Sequence, residues 1–294
     1  AKSINISSDR RILHVLSQHF NIDDRPAIKD PEGLTGSRLE AKVHLVTSSK
    51  ITEKDFETCF DELDIDVQGF VLEPLASSYS ILDSDEKKLG SIMLDIGGGT
   101  TDMVIYKNGG IIHTHIVPLG GESITNDIAF GLKCKINTAE KLKKEYGSAI
   151  ELAEDKEIAV EGINSQEKSI FTSNEISNII QPRISEIFRR ARFEIDTQIS
   201  MKQIPFGIIL TGGGSKLKNI IDIAENIFEC KVRVGIPNEI KTIDNKIFNP
   251  KYSTAIGLVH YAIDNKDSLE LYQKNSVGGF FKNIFSNIKD LFNN

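Results

Sequence analysis

The chain has 294 residues, 39% hydrophobic and 26% charged, which is enough for one large or two ordinary domains with a substantial core. Its 42 acidic and 35 basic side chains give a net charge of −7, which excludes a general nucleic-acid binder, because duplex binding relies on clustered Lys and Arg. Cys59, Cys134 and Cys230 lack any C-x-x-C spacing and fit a reducing cytosol, no secretory pattern opens the sequence, and no apolar run reaches the length of a membrane span.

Alternation over Arg11 to His19 predicts a strand, Asn21 to Arg38 reads as a polar loop, and Leu39 to Thr47 as a second strand. His14, His19 and His44 are not at ligand spacing and read as strand histidines with local partners. Thr52 to Leu63 is helical, with Thr52 as N-cap and Glu53 and Asp55 in the first turn. Val67 to Leu72 is a further strand ended by Glu73-Pro74, Leu75 to Leu82 a small-residue helix, and Asp83 to Lys88 a charged turn.

Ser91 to Asp102 reads Ser-Ile-Met-Leu-Asp-Ile-Gly-Gly-Gly-Thr-Thr-Asp, a strand running into three glycines. Three missing Cβ atoms let the backbone turn tightly and aim several N–H groups at one anion. Asp95 would repel a phosphate but can hold Mg²⁺ through water, and Thr100 and Thr101 add hydroxyls. With β character resuming at Val104, the pattern is a hairpin whose tip is either a phosphate clamp or an ordinary glycine turn.

Ile111 to Leu119 continues as a strand into Gly120-Gly121, followed by helices over Ser123 to Leu132 and Thr138 to Tyr146, the latter stopped by Gly147. Glu140, Lys143 and Lys144 share one side of that helix, either against a ribose and adenine edge or in solvent. Glu157 to Phe171 is strand-rich. A long helix from Ser173 to about Ile199 carries an apolar stripe that includes Ile180, Ile184, Phe188 and Ala191, while Arg189, Arg190 and Arg192 form a basic, solvated cluster. Phe206 to Leu210 is a buried strand entering Thr211-Gly212-Gly213-Gly214-Ser215, with a helix over Leu217 to Phe228 whose N-terminus offers free amides to an anion. Two strand–glycine–turn units around a helical insertion, among alternating strands and helices, argue for an α/β fold with mixed sheets.

Leu94 to Asp102 resembles the second phosphate motif of the actin, chaperone and sugar-kinase superfamily, and Leu210 to Ser215 resembles its adenosine motif. Within that superfamily the chain is similar to the FtsA family of bacterial cell-division proteins, through Arg11 to Leu16, Gly33 to Thr47, Leu75 to Tyr79, Pro118 to Gly121 and Tyr252 to Leu258. The resemblance implies an actin-like (ribonuclease H-like) fold with a C-terminal amphipathic helix. Implied cofactors are ATP and Mg. Gly97, Gly98, Gly99 and Thr100 would lie on the β- and γ-phosphates, with Thr101 beside them and Asp95 on hydrated Mg²⁺. Gly212, Gly213 and Ser215 would lie against the α-phosphate, ribose and adenine, with Glu140 and Lys143 on the nucleoside. Glu73, before Pro74, matches the acid that positions the attacking water in chaperone relatives, and hydrolysis would be slow at most.

The same resemblance divides the chain into a remnant of subdomain 1C (1–47), part of 1A (48–75 and 246–264), 2A (76–121 and 205–245), 2B (122–204), a linker (265–276) and a membrane-targeting helix (277–294). Nothing before Arg11 resembles the superfamily's first phosphate loop, so the sequence reads as N-terminally shortened and much weakened or absent nucleotide binding by this chain alone is expected. Val277, Phe280, Phe281, Ile284, Phe285, Ile288, Leu291 and Phe292 make one broad apolar face opposite Lys282, Asn283, Lys289 and Asp290, suited to the lipid interface, the alternative being a terminal helix docked on the domain. The implied role is an adaptor at the cytoplasmic face of the cell membrane at the division site. Its implied partners are the tubulin-like protein FtsZ, other division proteins and further copies of itself, without nucleic acid. The competing readings are a pilus-assembly actin-like protein or a turnover enzyme of the same fold.

Overall fold

A computed structural model describes residues 6–162, 168–238 and 247–265. The apolar-face residues Phe280, Phe281, Ile284, Phe285, Ile288, Leu291 and Phe292 lie outside the described residues. The chain opens with a three-stranded antiparallel sheet, β1 (Arg10–Ile22), β2 (Arg25–Ile28) and β3 (Leu39–Ser49), in the order β2-β1-β3. The stretch expected to be all loop after Asn21 therefore contains a strand. Asp23, at φ 51°, takes the left-handed conformation that an aspartate tolerates in a tight hairpin turn, and its carboxylate accepts from the amides of Ser37 and Arg38. Among the histidines, His14 Nε2 accepts from the Leu72 amide at 3.0 Å, and His44 bonds Thr114 across at 3.0 Å.

Four other local expectations are corrected. Helix α1 (Lys50–Asp61) is capped by Ser49, whose hydroxyl accepts from the Thr52 amide, because β3 runs straight into the helix and leaves no room for a later cap. Val67 to Leu72 forms no strand among the described residues, and the amide at its end, Leu72, goes to the His14 ring and not to a ladder. Pro74 does not end an extended segment but opens α2 (Glu73–Ile81), where its missing N–H costs nothing. Asp83 to Lys88 is no mere turn: Asp83 and Glu86 form a reciprocal capping box that starts α3 (Ser84–Leu89).

The central sheet has five strands, β4 (Ser91–Ile96), β5 (Thr101–Lys107), β6 (Gly110–Val117), β9 (Ile208–Thr211) and β10 (Val232–Val234), ordered β10-β9-β4-β5-β6. β10, β9 and β4 are parallel, while β5 and β6 return antiparallel. Side chains alternate between two covered faces. Ile92, Leu94, Ile96, Met103, Ile105, Ile208 and Leu210 point to one core, against α4 (Gly121–Gly131), α5 (Ile136–Tyr146), α6 (Ser173–Gln198) and α7 (Ile220–Phe228). Met93, Val104, Tyr106 and Ile209 point to the other, against α2, with α8 (Ser253–Asp264) packed beside it. The α6 stripe is buried as its period predicts, and a short hairpin of β7 (Glu157–Glu161) and β8 (Lys168–Thr172) leads into it. Arg192 is not merely solvated: it pairs with Asp196 and donates to the carbonyls of Ile227 and Phe228 at the end of α7.

Candidate functional site: two glycine bends at one sheet edge

The parity of β4 decides what Asp95 can do. Its neighbours Leu94 and Ile96 enter the large core, so Asp95 faces α2 and α8 from the strand's last turn. Ser77 of α2 donates to Asp95 Oδ2 at 2.6 Å, and Thr254 of α8 is in reach at 3.4 Å. Across the hairpin, Asp102 stands directly opposite Asp95 on the same face, with Cβ atoms ~5 Å apart by strand geometry. Its Oδ2 accepts from Thr100 at 2.9 Å. Both acids are buried, with 4% and 3% of their surface exposed.

Burial pushes the Asp95 carboxyl up to about 6, against the hydrogen bonds from Ser77 and Thr254 and with help from Asp102. Burial likewise raises Asp102 despite the bond from Thr100. Glu73, at the exposed start of α2, is raised by desolvation first and then by Asp102 and Asp95, against a hydrogen bond from Thr254, so the three carboxyls act on one another although their oxygens do not gather within 4.8 Å. No cation among the described residues compensates them. Three unneutralised acids set too far apart to grip one ion directly fit magnesium only as an ion that keeps its water shell between them.

The turn between the two acids is held from behind. Gly97 N–H donates to Thr100 O at 2.9 Å, while the first amides of α4, Gly121 and Glu122, donate to the carbonyls of Gly97 and Gly98 at 2.9 and 2.8 Å. The start of α4 is thereby spent on fixing the bend. The amides of Gly98 and Gly99 find no acceptor among the described residues, and a Cβ on Gly99 would meet nothing within 4 Å. Thr101 is turned away, its hydroxyl donating to Leu119 O at 2.9 Å, so it braces the hairpin instead of facing the cleft.

The second bend abuts the first because β9 runs parallel beside β4, with Thr211 paired to Asp95. Gly212, at φ 80°, comes so near that a Cβ would lie under 3.0 Å from Asp95 Oδ1 and Ile96 O; only glycine fits both the angle and the space. Gly213 to Lys216 then form a 3₁₀ turn, not the first turn of the following helix, which starts only at Ile220 after left-handed Asn219. The free donors of this bend are consequently the amides of Gly213 and Gly214, which have no acceptor among the described residues. Ser215 is buried and donates to Gly212 O at 2.8 Å, a brace within the bend.

Lys143 reaches this region from α5. Its Nζ donates to Gly121 O and Thr125 Oγ1, both at 2.8 Å, and pairs with Glu140 at 2.7 Å. Burial alone would raise the Glu140 carboxyl, but Lys143, Thr125 and Lys144 outweigh it and hold it down to about 2. The Glu140 carboxylate thus stands ionised beside the α4 end of the first bend.

Sequence reasoning missed Asp102, Ser77 and Thr254. Asp102 was visible from its even spacing to Val104 and Tyr106; Ser77 and Thr254 come from two helices far apart in the chain. Their small residues were the signal: a Cβ on Gly257 would lie under 3.0 Å from Ala76 O, and Ser80 donates to Ser253 O at 2.8 Å, so α2 and α8 touch backbone to backbone.

A family model described as cell division protein FtsA matches residues 92–257, and one described as SHS2 domain inserted in FTSA matches residues 1–47. The chain is 38% identical over 268 residues to cell division protein FtsA of Pseudomonas aeruginosa, covering 90% of this chain and 64% of that protein. It is 32% identical over 305 residues to that of Escherichia coli K12, covering 99% and 73%. It thus spans less than two thirds of the Pseudomonas relative, and 64% also of the one from Neisseria meningitidis. In structure it resembles MreB5 of Spiroplasma citri bound to ADP (TM-score 0.63, 20% identity, 76% of this chain and 68% of that one). A type IV pilus biogenesis complex of PilM and PilN aligns with TM-score 0.60 and 16% identity, over 85% and 67%. The fold is the actin-like one expected from the two glycine motifs, and the chain belongs to the FtsA family of cell division proteins.

Proposed function

We propose that this chain is an actin-like cell-division adaptor that takes ATP with magnesium between its two glycine bends and links the division protein FtsZ to the cytoplasmic membrane. The observation that carries the nucleotide reading is the meeting of the bends, with Gly212 seated against Asp95. Relatives in fold point the same way, since MreB5 structures are described as bound to ADP and to AMPPNP.

In this reading Asp95 and Asp102 hold the magnesium shell, and the metal neutralises phosphate charge. The free amides of Gly98, Gly99, Gly213 and Gly214 take the phosphate oxygens. Glu140 and Lys143 stand on the nucleoside side, and Glu73, raised by its acidic neighbours, orients water at the rim. In this reading turnover is slow at most and the nucleotide serves chiefly as a conformational ligand.

The membrane reading rests on the apolar face of 277–292 in the sequence, with no helix among the described residues long and apolar enough to cross a membrane. Family membership supports FtsZ, other division proteins and further copies of the chain as its partners. Two experiments test the proposal. Mg-ATP should raise the thermal midpoint of the wild-type chain but not of Asp95→Asn, and an equal rise in both would refute the nucleotide reading. Deleting residues 277–294 should release the chain from anionic liposomes, and unchanged flotation would refute the tether.

A further inference from the structure

A second constellation lies on the other face of the sheet. β6 pairs with β5 through a bulge: Tyr106 faces Ile111 and Ile105 faces His113, leaving Ile112 as the extra residue. Beyond the bulge His113, His115 and Val117 share the face covered by α6, where Glu194 meets them. A bulge re-aims side chains, and here it brings two imidazoles and one carboxylate together. One ligand atom from each lies within 4.8 Å of the others. His113 Nε2 is 2.8 Å and His115 Nδ1 3.9 Å from Glu194 Oε1, and the rings are nearly coplanar in direction, 17° apart.

The closest of these approaches is not a hydrogen bond. His113 Nε2 is closed to solvent and has no hydrogen-bond partner despite the nearby oxygen, because the alignment is wrong. A buried ring nitrogen left without a hydrogen bond at that distance suits a ligand to a metal better than a strut. Tetrahedral zinc with bonds of about 2.0–2.1 Å spaces its ligand atoms by about 3.3 Å, so the trio needs only side-chain adjustments of an ångström or so. His115 and Glu194 also line a groove of about 500 Å³ with Val117, Pro118, Arg189 and Phe193, which leaves water access for a fourth ligand. The nearby Arg190 is occupied by Glu186 at 2.7 Å.

We infer that His113, His115 and Glu194 form a site for a borderline divalent transition metal, zinc first, that ties the edge strand β6 to α6. Two imidazoles and a carboxylate favour zinc over magnesium, which takes oxygen ligands, so this site and the acidic cleft at Asp95 select different ions. The inference stands apart from the nucleotide reading.

The test uses the full chain without a histidine tag, titrated with Zn²⁺ against a chromophoric chelator and with Co²⁺ read by visible absorption. The expected result is one equivalent of zinc at micromolar affinity or better, with a tetrahedral cobalt spectrum. His115→Ala, at a half-exposed position that the fold tolerates, should lower affinity about tenfold or more, as should Glu194→Gln. Asp95→Asn should leave this affinity unchanged. Zinc should raise the thermal midpoint of the wild type clearly more than that of His115→Ala. Absence of such binding, or equal binding by both ligand variants and the wild type, would overturn the site and leave a simple His–Glu contact between β6 and α6.

Discussion

Replacing Asp95 by Asn should stabilise the ligand-free protein at neutral and alkaline pH, although Asp95 is central to the site. Burial lifts its carboxyl from the ordinary 3.8 to about 6. A folded-state value above the unfolded one means that the native state prefers the protonated acid. That preference is fully present below the unfolded value and is lost as pH rises through about 6, where the native chain must carry a buried charge. Over that interval the difference amounts to about 3 kcal/mol at pH 8, about half of which is already gained back at pH 5. Asparagine keeps an acceptor for Ser77 and carries no charge, so it should exceed wild type by up to about 3 kcal/mol at pH 8, with the margin shrinking toward pH 4. Urea unfolding in the presence of a chelator, repeated from about pH 5 to 8, measures this directly. A variant less stable than wild type at pH 8, or a margin independent of pH, would refute the buried, uncompensated carboxylate.

Gly212→Ala combines a left-handed φ with a Cβ under 3.0 Å from Asp95 Oδ1, and should cost about 2–4 kcal/mol by urea titration. Ser77→Ala deletes the 2.6 Å bond to Asp95; it should cost about 1–2 kcal/mol at pH 8 and less at pH 5, where that carboxyl is largely protonated, as paired unfolding curves would show. Lys143→Met removes the donor to Gly121 O and Thr125, and should weaken Mg-ATP binding about tenfold in a competition titration while leaving far-ultraviolet dichroism unchanged.

What the sequence made legible were elements whose signal is local. The apolar run before each glycine cluster, the stripe of α6 and the charged face of α5 all carried their own period, and the adjacency of the two bends follows once β4 and β9 are parallel neighbours. What it hid depended on partners. Val67 to Leu72 has strand composition but joins no ladder among the described residues. Thr52 looked like a cap because nothing local shows that β3 continues to Ser49. Asn219 and the 3₁₀ turn at Gly213 displaced the start of α7, since a backbone excursion into the left-handed region leaves no hydrophobic trace. Asp102 was in view, yet its role comes from facing Asp95 across the hairpin, and Ser77 and Thr254 acquire theirs only where two small-residue helices close on each other. Thr101 and Ser215 had the right chemistry, but their hydroxyls are committed to Leu119 and Gly212 carbonyls.

The central claim is that two backbone bends act as one phosphate clamp, and amide chemical shifts report on each bend separately. In ¹⁵N-labelled chain titrated with Mg-ATP, the resonances of Gly98, Gly99, Gly213 and Gly214 should all move along one common saturation curve. Movement confined to one bend, or none at millimolar nucleotide, would contradict the account.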